Sequence, residues 1–181
     1  MQTYIALLRA INVSGKNTIN MDQLRTLFED LGFTEVRTWL QSGNVVFASA
    51  ENNTGDIAQR ISNAIKNTKG YNVGVLIMSA GSLKQVLNGN PFLNDPDKNP
   101  AFMHVTFLES ASNADAAIIG ARASEGEDFL ISGKTVYLYC PFGYGRTKLT
   151  NSLFESKLKT TASTRNWKTV TELVKMSRES G

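Results

Sequence analysis

The sequence predicts an α+β protein of two tandem ferredoxin-like subdomains, βαββαβ and βαββα(β), with antiparallel sheets and a C-terminal helix. Three observations carry that reading. Strand-sized apolar runs and helix-spaced apolar residues follow one another as βαββαβ over the first half. The pattern then stops in "NGNPFLNDPDKNPA", which holds three of the four prolines. Beyond it the pattern starts again. The subdomains therefore span 1–88 and 101–181, with a proline-rich linker at 89–100.

In chain order, "QTYIALLR" (2–9) is apolar on both alternations, as a central strand is. After the turn-rich "INVSGKNT", Asn20 with Gln23 suits a helix N-cap. Met21, Leu24, Leu27, Phe28 and Leu31 then recur at helical spacing until Gly32. "VRTWLQSGNVVFAS" reads as two strands joined at Ser42-Gly43-Asn44, with glycine where positive φ is needed. Ile57, Ile61, Ala64 and Ile65 mark a second helix ending near Gly70, and "VGVLIM" (73–78) a fourth strand. Both helices of such a unit lie on one sheet face. Ser82 and Gln85 suit the cap of a short helix through Leu83, Val86 and Leu87.

In the second half, "FMHVTFLE" is a strand and Ala114, Ala117, Ile118 and Ala121 mark a helix. "DFLIS" and "TVYLYC" meet at a tight turn, Gly133-Lys134. A helix carrying Leu149, Leu153, Phe154 and Leu158 starts near Thr147 or Lys148, and "TTASTR" is a candidate for a short closing strand, the bracketed β of the second unit. The last helix runs from about Trp167 to Met176, with Thr169 and Glu172 as a capping box.

At 181 residues and 41% hydrophobic, the chain can bury a core in one domain or two small ones. No apolar run approaches a membrane span and the N-terminus has no signal-peptide pattern, so no membrane partner is expected. A single cysteine, Cys140, excludes an intrachain disulfide and fits a reducing, cytoplasmic setting. The net charge of +3 is mild, but it is unevenly spread. Lys134 to Gly181 carries nine Lys/Arg against three Asp/Glu, while Ala101 to Gly133 carries one against five. A basic C-terminal quarter suits an anionic partner, and equally a solvated surface.

The chemistry concentrates in "PFGYGRTKLTNS" (141–152). Gly143 and Gly145 free the backbone, and a following helix offers N–H groups and the positive end of its dipole. Arg146 and Lys148 add charge, Arg in a fork suited to phosphate, while Thr147 and Asn151 add donors. Together they make an anion cradle, or an ordinary capped turn. The order is not that of a Walker A loop. In "TRNWK", Arg165, Asn166 and Lys168 surround Trp167, which either stacks on a base or anchors the last helix. A third cluster is Arg9, Asn12, Lys16 and Asn17, leaving the first strand. The βαββαβ topology brings it close to Gln41, Ser42 and Asn44 of the first hairpin.

Other chemistry is sparse. His104, the only histidine, sits in an alternating strand and reads as a hydrogen-bonded sheet residue. One His and one Cys cannot build a usual zinc site, and no metal site is expected. No motif asks for a cofactor. Cys140 reads as packing. Tyr137 and Tyr139 share a strand face, as base-stacking aromatics do, but without an RNA-binding signature around them.

"LLRAINVSGKN", "LRTLFEDLGFTEVRTWLQSGNVVF", "GRTKLTN" and "TRNW", in that order, resemble the signature segments of the bacterial family known as domain of unknown function 1697. The resemblance covers nearly the whole chain. It implies the two-subdomain α+β fold and brings no activity, cofactor or catalytic residue to carry over. It also implies glycine where this chain has Ala10 and Ser14, which speaks against a strict glycine requirement there.

Three functions fit the residues. One is a binding protein for a phosphate-bearing small molecule, nucleotide or nucleic acid, using the C-terminal basic segment. Another is a small enzyme acting on a phosphorylated metabolite, with Arg9, Lys16 and Asn44 joining that segment across a cleft. The third is a structural or interaction module without a ligand. The sequence sets neither the ligand nor the oligomeric state.

Overall fold

The computed structural model describes residues 1–111 and 116–179. The chain divides into two compact units: Met1–Gln85 with Glu172–Gly181, and Val86–Thr171.

The first unit contains β1 (Gln2–Leu8), α1 (Met21–Asp30), β2 (Thr34–Trp39), β3 (Asn44–Ser49), α2 (Thr54–Lys69) and β4 (Val75–Ser79). The sheet order is β2-β3-β1-β4 with every pairing antiparallel, the ferredoxin-like arrangement. The central strands β1 and β3 are apolar on both alternations because both of their faces are covered. Asn20 caps α1, its side chain accepting from the Gln23 N–H at 2.8 Å. Asn53 caps α2, and Gly70 ends it at φ 77°. Leu24, Phe28, Ile57 and Ile61 pack on Tyr4, Ala6, Val45 and Phe47, so both helices cover one sheet face. Phe33 seals the edge, its ring 4.8 Å from that of Phe47, with the Arg60 guanidinium 5.1 Å above it.

Helix α3 (Ala80–Asn88) follows β4 directly. Its cap is Ser79, whose Oγ accepts from the Ser82 N–H at 3.1 Å. The expected cap, Ser82, lies inside the first turn, where its own N–H is the group that needs an acceptor.

The second unit contains β5 (Met103–Leu108), α4 (Ala116–Gly120), β6 (Asp128–Ser132), β7 (Thr135–Tyr139), α5 (Asn151–Leu158) and β8 (Ala162–Asn166), and continues into α6 (Trp167–Arg178). Its order, β6-β7-β5-β8, again all antiparallel, repeats the permutation of the first unit, so the closing strand is present. Helix α4 buries Ile119 and leaves Ile118 48% exposed, one position off the expected face. Ala114 lies outside the described residues. Helix α5 starts three to four residues later than expected, because the intervening hydroxyls take up backbone donors. Thr147 Oγ1 accepts from the Leu149 N–H at 3.0 Å, and Thr150 Oγ1 caps the helix through the Leu153 N–H. The cap of α6 is Asn166, accepting from the Thr169 N–H at 2.8 Å, so Thr169 is a first-turn residue and not the cap.

The proline-rich stretch forms two 3-10 turns, Pro91–Asn94 and Pro100–Phe102, capped by Asn90 and Asn99. Phe92 is buried there, with Lys98 Nζ 5.4 Å from the ring centres of both Phe92 and Tyr139. Tyr137 and Tyr139 are buried, and Tyr137 donates its hydroxyl to the Val86 carbonyl at 2.9 Å, so neither ring offers a face to a base. Among the described residues no helix is long and apolar enough to cross a membrane.

Candidate functional site

The polar residues singled out from the sequence fall in two places, one in each unit. In the first unit the chain leaves β1 through a loop with left-handed backbone at Ala10, Asn12, Ser14, Gly15 and Asn17. Ser14 (φ 50°) and Gly15 (φ 74°) form a two-residue turn closed by Lys16 N–H to Val13 O at 2.9 Å. Both positions where the family resemblance implies glycine, Ala10 at φ 56° and Ser14, thus do adopt the conformation that favours glycine. The chain bears that strain with a Cβ in place.

This loop meets the β2–β3 hairpin, as the topology predicts. Leu8 N–H donates to Gly43 O at 2.9 Å. Asn12 Nδ2 donates to Gln41 O at 2.7 Å and to Ile19 O at 2.8 Å, and Asn12 Oδ1 accepts from the Ile19 N–H at 2.9 Å. Asn44 is fully buried and spends its amide on Trp39 O and Ser42 Oγ. Asn12 and Asn44 therefore act as clamps, filling each other's neighbourhood with satisfied bonds. Lys16 stands exposed at the turn, and Arg9 is half-buried beside the strand end.

In the second unit the loop after β7 carries the basic candidates. Gly143 needs its glycine, at φ 91°; Gly145 has no positive φ, and a Cβ there would meet open space. A 3-10 turn spans Tyr144–Arg146. The N–H groups of Gly143, Arg146 and Thr147 donate to Cys140 O, Gly143 O and Tyr144 O, so these three amides close the turn itself. Arg146 and Lys148 are exposed, and among the described residues neither forms an ion pair. Thr147 is buried. Arg165 is half-buried and braces its own strand, donating to Ser163 Oγ and Thr164 O at 2.9 Å each. Trp167 is 8% exposed, which makes it an anchor for α6, while Asn166 is occupied as a cap.

The register of β5 and β8 adds Thr106 and Thr164, which the sequence did not single out. His104 faces Asn166, and Thr106 faces Thr164. Thr106 and Thr164 share a 2.7 Å hydrogen bond, and Thr164 Oγ1 donates to Asn151 Oδ1 at 2.6 Å. With the Thr164 proton used there, Thr106 is the donor of the first bond. The relay fixes the Asn151 carboxamide so that its NH₂ group points away from the pair, at the first turn of α5. The His104 ring stacks on Tyr144 at 4.8 Å and 22°, tying the loop to the sheet. Burial lowers the pKa of His104, so it is neutral near pH 7, and among the described residues its Nδ1 has no hydrogen-bond partner. The one sign of this cluster in the sequence is its alternation, His104/Thr106 and Thr164/Asn166. It becomes readable once β8 is known to lie beside β5.

Cys140 is buried, and burial, with Glu127 nearby, pushes its thiol up to about 11, which leaves it unreactive packing. Among the described residues no three His, Cys, Asp or Glu side chains gather as a metal site would require.

The fold is similar to that of a solved structure described as "conserved bacterial protein SP0830 from Streptococcus pneumoniae", with a TM-score of 0.72 over 97% of this chain and 98% of that one. At 21% identity that likeness speaks for the fold alone. No curated protein matches the chain. Residues 1–137 match the family described as "Protein of unknown function (DUF1697)". That match takes in the clamped β1–α1 loop, the first hairpin and β5, and stops within β7, before the β7–α5 loop; the chain belongs to the DUF1697 family.

Proposed function

We propose that the protein binds a phosphate-bearing ligand, a nucleotide or nucleic acid, at the loop between β7 and α5, in the cytoplasm. One observation carries the reading: the Thr106–Thr164–Asn151 relay leaves the Asn151 amide as a donor at the first turn of α5, just after the loop that presents Arg146 and Lys148, which have no carboxylate partner among the described residues. A guanidinium, an ammonium and a fixed amide together suit a phosphate's three acceptor oxygens. The backbone contributes less than the sequence implied, because three of its amides close the turn. Lys168 adds exposed charge at the start of α6. Gly143 positions the turn, whereas Arg165, Asn166, Trp167 and Thr147 hold the scaffold.

The test is a binding titration with ATP, single-stranded and double-stranded oligonucleotides and inorganic phosphate at several salt concentrations. Affinity for at least one should fall as salt rises from about 50 to 200 mM. A double variant, Arg146→Ala with Lys148→Ala, should weaken it about 100-fold at two charge-assisted bonds of about 1.5 kcal/mol each. Arg165→Ala should instead lower stability. No binding by any probe, or binding indifferent to both salt and the double variant, removes the proposal.

A further inference from the structure

Helices α1 and α2 run antiparallel in the first unit and are tied together at two points. Lys69 Nζ donates to Gln23 Oε1 at 2.7 Å near one end, and Arg60 Nη2 donates to Leu31 O at 2.6 Å at the other. Between the ties lies a groove of about 450 Å³. Its lining includes short side chains on both helices, Ala64 and Thr68 on α2 and Thr26 on α1, which leave the space unfilled. The floor is apolar, formed by Ile19, Leu27 and Leu31 with the Ala64 methyl. Such a volume, with an apolar lining and a few polar groups, is in the range of small-molecule sites.

Charge along the groove is uneven. Lys69 sits at one end, half-buried, hydrogen-bonded to the neutral Gln23 amide and with no ion pair among the described residues. The nearby Asp22 is offset by Arg25 at 3.1 Å, and the positive end of the α1 dipole lies on the same side. The remaining lining carboxylate, Asp30, is two turns along α1 from Asp22, at the opposite end. The step from Gln23 to Leu31 is about 12 Å at the rise of an α-helix, the length of an alkyl chain of about eight to ten carbons.

We propose that this groove binds a free medium-chain monocarboxylate, its alkyl chain lying over Leu27, Leu31 and Ala64 and its carboxylate on Lys69. The apolar floor supplies the affinity and the lysine sets the direction of entry. The site shares no residue with the β7–α5 loop and stands whether or not that loop binds phosphate.

The test uses octanoate and the chain-matched alcohol octanol, titrated into the whole protein and followed by amide chemical shifts. Octanoate should give saturable shifts at Gln23, Thr26, Leu27, Ala64 and Thr68. Ala64→Leu, and independently Thr26→Leu from the opposite wall, should fill the groove and weaken both ligands at least tenfold. Lys69→Gln should weaken octanoate about tenfold and leave octanol within about twofold, since it removes one charge-assisted contact and no floor. Shifts that never saturate or centre elsewhere would overturn the proposal. So would undiminished binding in both leucine variants, or a Lys69→Gln effect that is absent or equal for the two ligands.

Discussion

Replacing Gly43 with alanine would place a Cβ 2.8 Å from Leu8 Cβ and 2.9 Å from Ile11 Cδ1, closer than carbon atoms pack. The backbone there has φ 81°, which costs a side-chain-bearing residue about 1–2 kcal/mol. Relieving the overlap means moving β1 or the hairpin, which costs about 1–3 kcal/mol more for an overpacked position. The hairpin cannot simply retreat, because Gly43 O accepts from Leu8 N–H at 2.9 Å. The reduced freedom of the unfolded chain returns about 0.5 kcal/mol, leaving a loss of about 2–4 kcal/mol. Gly70 is the control: its φ of 77° is nearly the same, yet nothing lies within 4 Å of its added Cβ. Gly70→Ala should therefore cost about 1 kcal/mol, the conformational part alone. Both are measured by urea unfolding in a Trp167→Phe background, where Trp39, at the end of β2 beside this hairpin, reports on the first unit. If Gly43→Ala costs no more than Gly70→Ala, the hairpin does not press on β1 and the clamp around Asn12 loses its steric half.

Ala10→Gly and Ser14→Gly should each stabilise the first unit by about 0.5–1 kcal/mol, since both positions have positive φ; destabilisation by either in the same urea assay would contradict the left-handed loop. His104 should titrate below its ordinary 6.5, because burial penalises the charged ring. A depressed pKa contributes stability that is present above 6.5 and lost as pH falls through the folded value, so acidification should weaken the second unit and His104→Phe should flatten that dependence. Titration of the His104 ring by NMR at or above 6.5 would refute it.

The architecture was legible because the first unit has a strong local grammar, with central strands apolar on both faces, an asparagine cap at Asn20 and glycine stops at Gly32 and Gly70, and the second repeats its order of strands and helices. The misplaced boundaries share one cause. Ser79, Thr150 and Asn166 each sit near another hydroxyl or amide that would cap as well, and which one wins depends on where the preceding strand or turn releases the chain. Composition singled out Arg146 and Lys148 but could not foresee that Arg165 and Asn44 would be spent on their neighbours. Donor-rich residues are attracted to unsatisfied backbone as readily as to ligands. The Thr106–Thr164–Asn151 relay and the groove beneath Thr26 were out of reach for another reason. Both depend on strand register and on gaps between helices, and neither leaves a periodic trace.

The first unit takes its final piece from beyond the second. Arg37 of β2 donates to the Met176 carbonyl and lies 3.3 Å from Glu179 Oε2, within the segment that rejoins Met1–Gln85. That segment is made after Val86–Thr171, so the opening eighty-five residues cannot be completed until the whole of their younger neighbour has been synthesised. The usual order of assembly, first-made first-folded, is thereby inverted for the last step. A chain truncated after Thr171 would keep every residue of the later unit and lack the latch of the earlier one.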